Sequence, residues 1–381
     1  MTLSGRLDAV DGLRTIAMTL VIAEHCKLAP MGWTGVWLFY VISGFVIART
    51  LVARPGNRPG DDYLSFIRRR FFRIVPLYLF YVALTILVVN FAGKLVDLRD
   101  VPSLLMFVYN WQMIFNIWPP DGLSAFAHLW TLSVEEQFYL LFPVLFLFLS
   151  RRSFKRAAIL LVVAGPIIRL VFSKYVSGTQ ASSDPDWSAF AVYAASFTQF
   201  DAFLIGALIA AFEPEIRTKP RLRNALTLLA AVSMLAYCGA YAVVNHVRGA
   251  TGIGLIRNIV SGTLYGQGRE VFVYSAVDLA CAAVLVWALT GRRLGRVLEF
   301  PVLVFIGRIS YGGYIYHALV LWLLRTLAFP AGIESLPVAY RIQWFVIAYS
   351  MTVSMAYVSF RWFEVPVIAW SRRSHRIVPQ F

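Results

Sequence analysis

Repeated long apolar runs constrain this chain more than any other feature. Ten stretches, at about 11–29, 33–53, 71–93, 133–150, 156–173, 198–213, 225–245, 270–290, 300–324 and 342–364, are candidate bilayer spans. Few charges interrupt them. The expected fold is therefore all-α, a polytopic membrane protein with about ten transmembrane helices. The fourth and sixth runs are short, and 101–118 is apolar enough to lie in the interface or re-enter. Composition agrees: 59% of the 381 residues are hydrophobic and 14% charged, with a mean hydropathy of +0.68.

The net charge is +15, from 35 Lys and Arg against 20 Asp and Glu. In a soluble domain this balance would suggest nucleic acid. Here the basic residues cluster between apolar runs, so membrane topology and anionic lipid headgroups explain them, and no nucleic-acid partner is expected. With a cytoplasmic N-terminus, 21 Lys and Arg fall in inside segments and 9 in outside ones. Arg14, Arg73, Arg169, Arg308 and Arg361 fall in or at the edge of spans. The bias predicts both termini cytoplasmic. The first run lacks a small-residue cleavage pattern and contains Arg14, so it is expected to be a retained span rather than a signal peptide. Residues 1–366 then form one membrane domain and 367–381 a short basic cytoplasmic tail.

Cys26, Cys238 and Cys281 lie in or beside apolar runs with no C-x-x-C spacing, so neither a disulfide framework nor a metal site is expected. The outside segment 94–132 is aromatic, with Phe107, Tyr109, Trp111, Phe115 and Trp118. A functional loop and an interfacial belt both account for it.

Ionisable residues at membrane depth are costly and point to function. The first run carries Arg14 near its start and His25 near its end, ~16 Å apart along a helix. The topology puts Arg14 towards the inner face and His25 towards the outer. Glu135 and Glu136 fall in the first turns of the inward-running fourth span, so Glu135 is expected at the level of His25. A carboxylate there would fix the imidazole's tautomer and raise its basicity. His128, Asp201 and His317 are further outer-level polar candidates. Arg68, Arg69, Arg70 and Arg73 gather at the start of the third span, at the depth of Arg14. They suit phosphate recognition, or equally lipid headgroups. Cys26 could be a nucleophile, although a lone thiol in an apolar span is more often packing. Gly44 permits close helix approach or a break in span two.

The segments DGLRTIA…EH (11–25), FYVISGFVIA (39–48), FIRRRFFRIVP (66–76), HLWTLSVEEQFYLLFP (128–143), ISYGGYIYH (309–317) and FRWFEVP (360–366) occur in that order. Together they resemble the acyltransferase-3 family, integral-membrane enzymes that O-acylate sugars of bacterial surface polysaccharides. The resemblance runs end to end. It implies that Arg14 and His25 are the family's Arg-x10-His pair, and that Ser43 belongs to its Ser-Gly-Phe motif. Arg69, Arg70 and Arg73 match its arginine cluster. Glu135 and Glu136 lie in its Val-Glu-Glu-Gln-Phe-Tyr run, and Tyr311, Tyr314 and His317 in its penultimate-span motif. Glu364 and Pro366 match the closing one. Trp37 stands where many members have Asp, and Thr131 where Ser is common. No esterase-like domain is expected after the last span, and on that expectation an acyl relay through one would need another chain.

The resemblance implies a protein of the bacterial cytoplasmic membrane that holds no permanent cofactor or metal. Its donor co-substrate would be acyl-coenzyme A, with acetyl the commonest acyl group in the family, and its acceptor a carbohydrate. On this expectation Arg14, Arg69, Arg70, Arg73 and Ser43 bind the donor, and His25 is a general base oriented by Glu135 or Glu136. His128, Asp201, Tyr311, Tyr314 and His317 contact substrate. The rival expectation is a transporter or flippase for a lipid-linked saccharide, which would show inverted halves. No hydropathy symmetry of that kind is seen.

Overall fold

The computed structural model describes residues 7–52, 59–94, 98–115, 125–179, 185–256, 259, 268–328 and 336–374. Among these residues the regular elements are all helical, with no strand. In chain order they are α1 (Asp8–His25), α2 (Thr34–Val52), α3 (Pro59–Phe91), α4 (Val101–Leu105), α5 (Tyr109–Phe115), α6 (Leu129–Phe148), α7 (Arg151–Thr179), α8 (Pro185–Ala194) and α9 (Phe200–Ala211). There follow α10 (Glu213–Thr218), α11 (Pro220–Val247), α12 (Arg269–Thr290), α13 (Arg292–Leu298), α14 (Pro301–Arg308), α15 (Ser310–Ala328) and α16 (Val338–Ser359). A π-helical turn, Phe360–Glu364, leads into α17 (Val365–Ser374). Trp118, Arg6, Arg54, Arg58, Arg376 and the end of the basic tail lie outside the described residues.

Seven of these helical stretches are long and apolar enough to cross a membrane, and the protein is a multi-pass membrane protein. They are α2, α3, α6, α7, α11, α12, and α16 continued through the π turn into α17. The other three expected spans fall on α1, α9 and the α14–α15 pair. The first carries Asp8, Asp11, Arg14 and Glu24. The second has only 12 residues. The third is divided at Ile309.

Lipid-facing and central helices differ in burial. In α2 and α12, 67% of the most apolar stretch is buried, against 17% in α11. Exposed Leu228, Val232 and Leu235 on α11, and Leu160, Val163 and Ile167 on α7, suit hydrocarbon rather than water. At the centre α2 crosses α9 closely. A methyl group at Gly44 would overlap the carbonyl of Phe203, and one at Gly206 the carbonyl of Val41. The glycine of span two thus permits backbone approach, and α2 runs unbroken through it.

Three boundaries differ from expectation in ways that move side chains. Helix α3 begins at Pro59 rather than 71, so the arginine cluster sits on regular helix and not at a loop edge. Helix α6 begins at Leu129 rather than 133. Helix α17 runs across the expected domain limit at 366, with Trp370 against Phe72 of α3 (ring centroids 5.7 Å). The aromatic segment expected outside is partly core: Tyr109, Met113 and Ile114 of α5 are buried.

Candidate active site

A cavity opens between α1, α2, α3, α6 and α15, with about 660 Å³ of empty space counting its open mouth. Four of these helices supply a stripe at helical spacing, because residues three, four and seven apart share a face. Helix α2 contributes Val36, Phe39, Tyr40 and Ser43; α6 contributes Thr131, Leu132, Glu135 and Tyr139. From α3 come Arg70, Arg73 and Ile74, and from α15 Ser310, Tyr311 and Tyr314. Arg14 alone comes from α1.

Three guanidiniums therefore share one small space. Arg14 is steadied by Asp11, one turn earlier, at 2.9 Å. Arg70 lies over the rings of Tyr139 (5.0 Å) and Phe66 (5.6 Å), cation–π contacts that hold its plane. Arg73 is exposed where it lines the cavity. Arg69 faces elsewhere. Its Nη1 donates to Ser65 Oγ at 2.6 Å, and it is absent from the cavity wall. The helix decides this: Arg69 is rotated ~100° from Arg70.

Glu135 is the carboxylate of the cavity wall. Ser43 Oγ donates to its Oε1 at 2.6 Å, and the hydroxyl of Tyr139 donates to the same oxygen. This corrects the expected pairing with His25. Because α6 starts a turn early, it is His128 that stands in the cluster with His25, and Glu135 lies seven residues, ~10 Å, further along the helix. Glu136 is not in the cavity wall, and its Oε1 is buried without a hydrogen-bond partner.

At the other end of the cavity Tyr314 and Thr131 join through their hydroxyls at 2.6 Å. Thr131 Oγ1 already donates to the carbonyl of His128 (2.8 Å), so Tyr314 is the donor in their mutual bond. The ring of Tyr314 lies 5.7 Å from His128 and 5.2 Å from His317. His317 is 5.4 Å from His25 and 4.9 Å from His128, centroid to centroid. The three imidazoles form a cluster in which His25 is exposed and the other two are buried. His25 is held by the end of its helix. Leu28 N–H bonds to Ala23 O (2.9 Å) and Lys27 N–H to Glu24 O (2.7 Å), closing α1 in a Schellman arrangement. Lys27 adopts φ 57°, a left-handed conformation usually left to glycine.

Asp201 is not brought to this cavity. It pairs with buried Arg169 of α7 at 2.7 Å. That arginine also donates to the carbonyls of Thr198 (2.8 Å) and Val271 (3.0 Å) and to Ser275 Oγ. The pair ties α7, α9 and α12 together, so a substrate-contacting Asp201 is not what this geometry offers. Cys26 is buried and free. Glu364, on the π turn, is within 3.2 Å of the point where a methyl group on Gly312 would sit, on the α15 side.

Arg14, Ser43, Arg70, Arg73, Glu135, Tyr311 and Tyr314 are thus gathered at one cavity, and His25, His128 and His317 just beyond it. Tyr40, Tyr139 and Ser310 were not among the expected site residues. Their signal is present in the sequence: Tyr40 and Ser43, like Glu135 and Tyr139, are a helical turn apart, and Ser310 shares its face with Tyr314.

The acyltransferase-3 family model, described as an acyltransferase domain, matches residues 7–361. The chain is 24% identical over 372 residues to the O-acetyltransferase OatA of Staphylococcus aureus (strain NCTC 8325 / PS 47), covering 95% of this chain and 57% of that protein. It is 27% identical over 377 residues to the peptidoglycan O-acetyltransferase OatA of Listeria monocytogenes serovar 1/2a, covering 95% and 56%. The chain therefore spans little more than half the length of these relatives. No solved structure matches. With 355 of 381 residues inside the family match, the chain belongs to the acyltransferase-3 family.

Proposed function

We propose that this protein is a membrane O-acyltransferase that moves an acyl group, acetyl in the simplest case, from acyl-coenzyme A to a carbohydrate hydroxyl. One observation carries the reading. A cavity walled by Arg14, Arg70 and Arg73 leads past Ser43, Glu135 and Tyr139 to the Thr131–Tyr314 pair, beyond which stand the three histidines. Three guanidiniums in one cavity repel one another, and an anionic ligand offsets that cost. Planar guanidiniums suit the bidentate recognition of phosphate. The donor's phosphates would sit on Arg14, Arg70 and Arg73, and its pantetheine arm would run along the hydroxyl-lined wall. The ~16 Å from Arg14 to His25 is a length for that arm to bridge.

His25 then acts as general base. It takes the proton of the acceptor hydroxyl as the oxygen attacks the thioester carbonyl. The C–O bond forms, the C–S bond breaks, and His25 returns the proton to the leaving thiolate. In this scheme Glu135 holds Ser43 and Tyr139 in the passage wall rather than orienting His25. The protein would cross a bacterial cytoplasmic membrane ten times with both termini inside, using α1, α9 and α14–α15 as the remaining spans. The donor would then enter from the cytoplasm and the glycan from outside. The peptidoglycan named for the Listeria relative makes envelope glycan the first acceptor to try.

The test is transfer of labelled acetyl from acetyl-coenzyme A by membrane vesicles containing the protein, with glycans read by mass spectrometry. Label should enter glycan with the parent and fall to background with His25→Ala. Loss of the whole glycan rather than of its acyl groups, or transfer at the parent rate by His25→Ala, overturns the reading.

A further inference from the structure

The histidine cluster carries more than a base. Backbone carbonyls only accept hydrogen bonds, so a ring nitrogen bonded to one must bear hydrogen. Nε2 of His128 lies 3.0 Å from the carbonyl of Ile315. Nδ1 of His317 bonds to the carbonyl of Tyr314. A neutral imidazole has one N–H, so Nδ1 of His128 and Nε2 of His317 each present a bare lone pair. Both atoms are buried and lack a hydrogen-bond partner, and His317 is 0% exposed. A buried acceptor left unmet is costly and calls for a donor. His25 offers one. Its ring is 5.4 Å from that of His317 and tilted 33° to it; the two rings are not bonded as they stand, and a turn of the exposed His25 side chain brings a ring nitrogen within hydrogen-bond distance. Among the described residues no carboxylate is seen paired with His25, and Glu135 is bonded to Ser43 and Tyr139 instead.

We propose that His317 is the positioning residue for His25. Its Nε2 accepts the ring N–H of His25, which leaves the opposite nitrogen of His25 as the base facing the acceptor hydroxyl. This inference rests on the reading of His25 as base. It gives to an imidazole the place a carboxylate holds in a Ser-His-Asp triad. When His25 takes the hydroxyl proton, its second N–H remains bonded to His317, so the positive charge is shared along the bond. The pair gains one proton from the hydroxyl and gives one to the thiolate, so its protonation is unchanged over the turnover. The ring of His128 lies 4.9 Å from that of His317, its Nε2–H committed to the Ile315 carbonyl.

Two substitutions separate positioning from packing. His317→Phe keeps the ring's volume and removes the acceptor; His317→Gln places a carbonyl oxygen near Nε2. In nitrogen-15 NMR of histidine-labelled protein in lipid nanodiscs, His25 of the parent should show one tautomer. It should show a mixture in His317→Phe and one tautomer again in His317→Gln. With acetyl-coenzyme A and vesicle glycan, turnover should fall at least ~10-fold in His317→Phe at unchanged KM for the donor, and largely recover in His317→Gln. A single His25 tautomer in folded His317→Phe overturns the proposal. So does a KM effect alone. The tautomer readout needs no transfer, so it stands apart from the fate of the acyl-transfer reading, which His25→Ala decides.

Discussion

Single residues divide by whether the helix they occupy fixes their direction. Arg70 and Arg73 point into the cavity while Arg69, on the same helix and of the same type, bonds outward to Ser65. The charge run announced a cluster, and helical phase selected its members. If Arg73 recognises donor phosphate through a guanidinium fork, Arg73→Lys should raise KM for acetyl-coenzyme A about tenfold, ~1.4 kcal/mol of lost binding, with little change in turnover. Arg69→Lys should leave KM within about twofold. Steady-state kinetics over donor concentration in membrane vesicles would show whether the two differ; equal effects would remove Arg73 from the donor site. Glu135 gives the opposite lesson. Its role as a carboxylate at membrane depth was legible, but its partner was not. A four-residue difference in where α6 starts moved it from the level of His25 to that of Ser43.

At the scale of elements, the site depends on close crossings. Helix α2 carries one wall of the cavity, and it is seated against α9 through Gly44 and Gly206. Gly206→Val would drive a side chain into the carbonyl of Val41 and push α2 away from α9. We expect a loss of about 1–3 kcal/mol of stability, seen as a lower thermal midpoint in detergent, together with reduced transfer. Gly239→Val, on α11 with no atom within 4 Å of an added methyl, should change neither. Helix α9 was legible only as a short sixth span, because its 12 residues are apolar apart from Asp201 and mark no face. That it packs against α2, and that Asp201 on it answers Arg169 rather than substrate, comes from three helices meeting, which no local pattern records.

At the scale of the whole molecule, the proposed orientation would join the two ends of the cavity to two compartments. After Cys26, Cys238 and Cys281 are replaced by Ala, a cysteine introduced at Ser150, between α6 and α7, should be shielded from a membrane-impermeant thiol reagent in intact cells. One at Gly249, beyond α11, should react. The reverse labelling would invert the proposed topology, and equal labelling would remove it. Sequence by itself determined that the chain is helical and membrane-embedded, because a bilayer leaves apolar segments of this length little alternative to satisfying their own peptide hydrogen bonds. It also determined that Arg14 and His25 are two ends of one helix, because rise per residue is constant. Only the tertiary structure decided what stands beside each end. Arg14 meets Arg70 and Arg73 across a cavity, and His25 meets His317 and, behind it, His128 rather than Glu135. Neighbours across helices are set by crossing geometry and by where each helix begins, and a shift of one turn exchanges one partner for another.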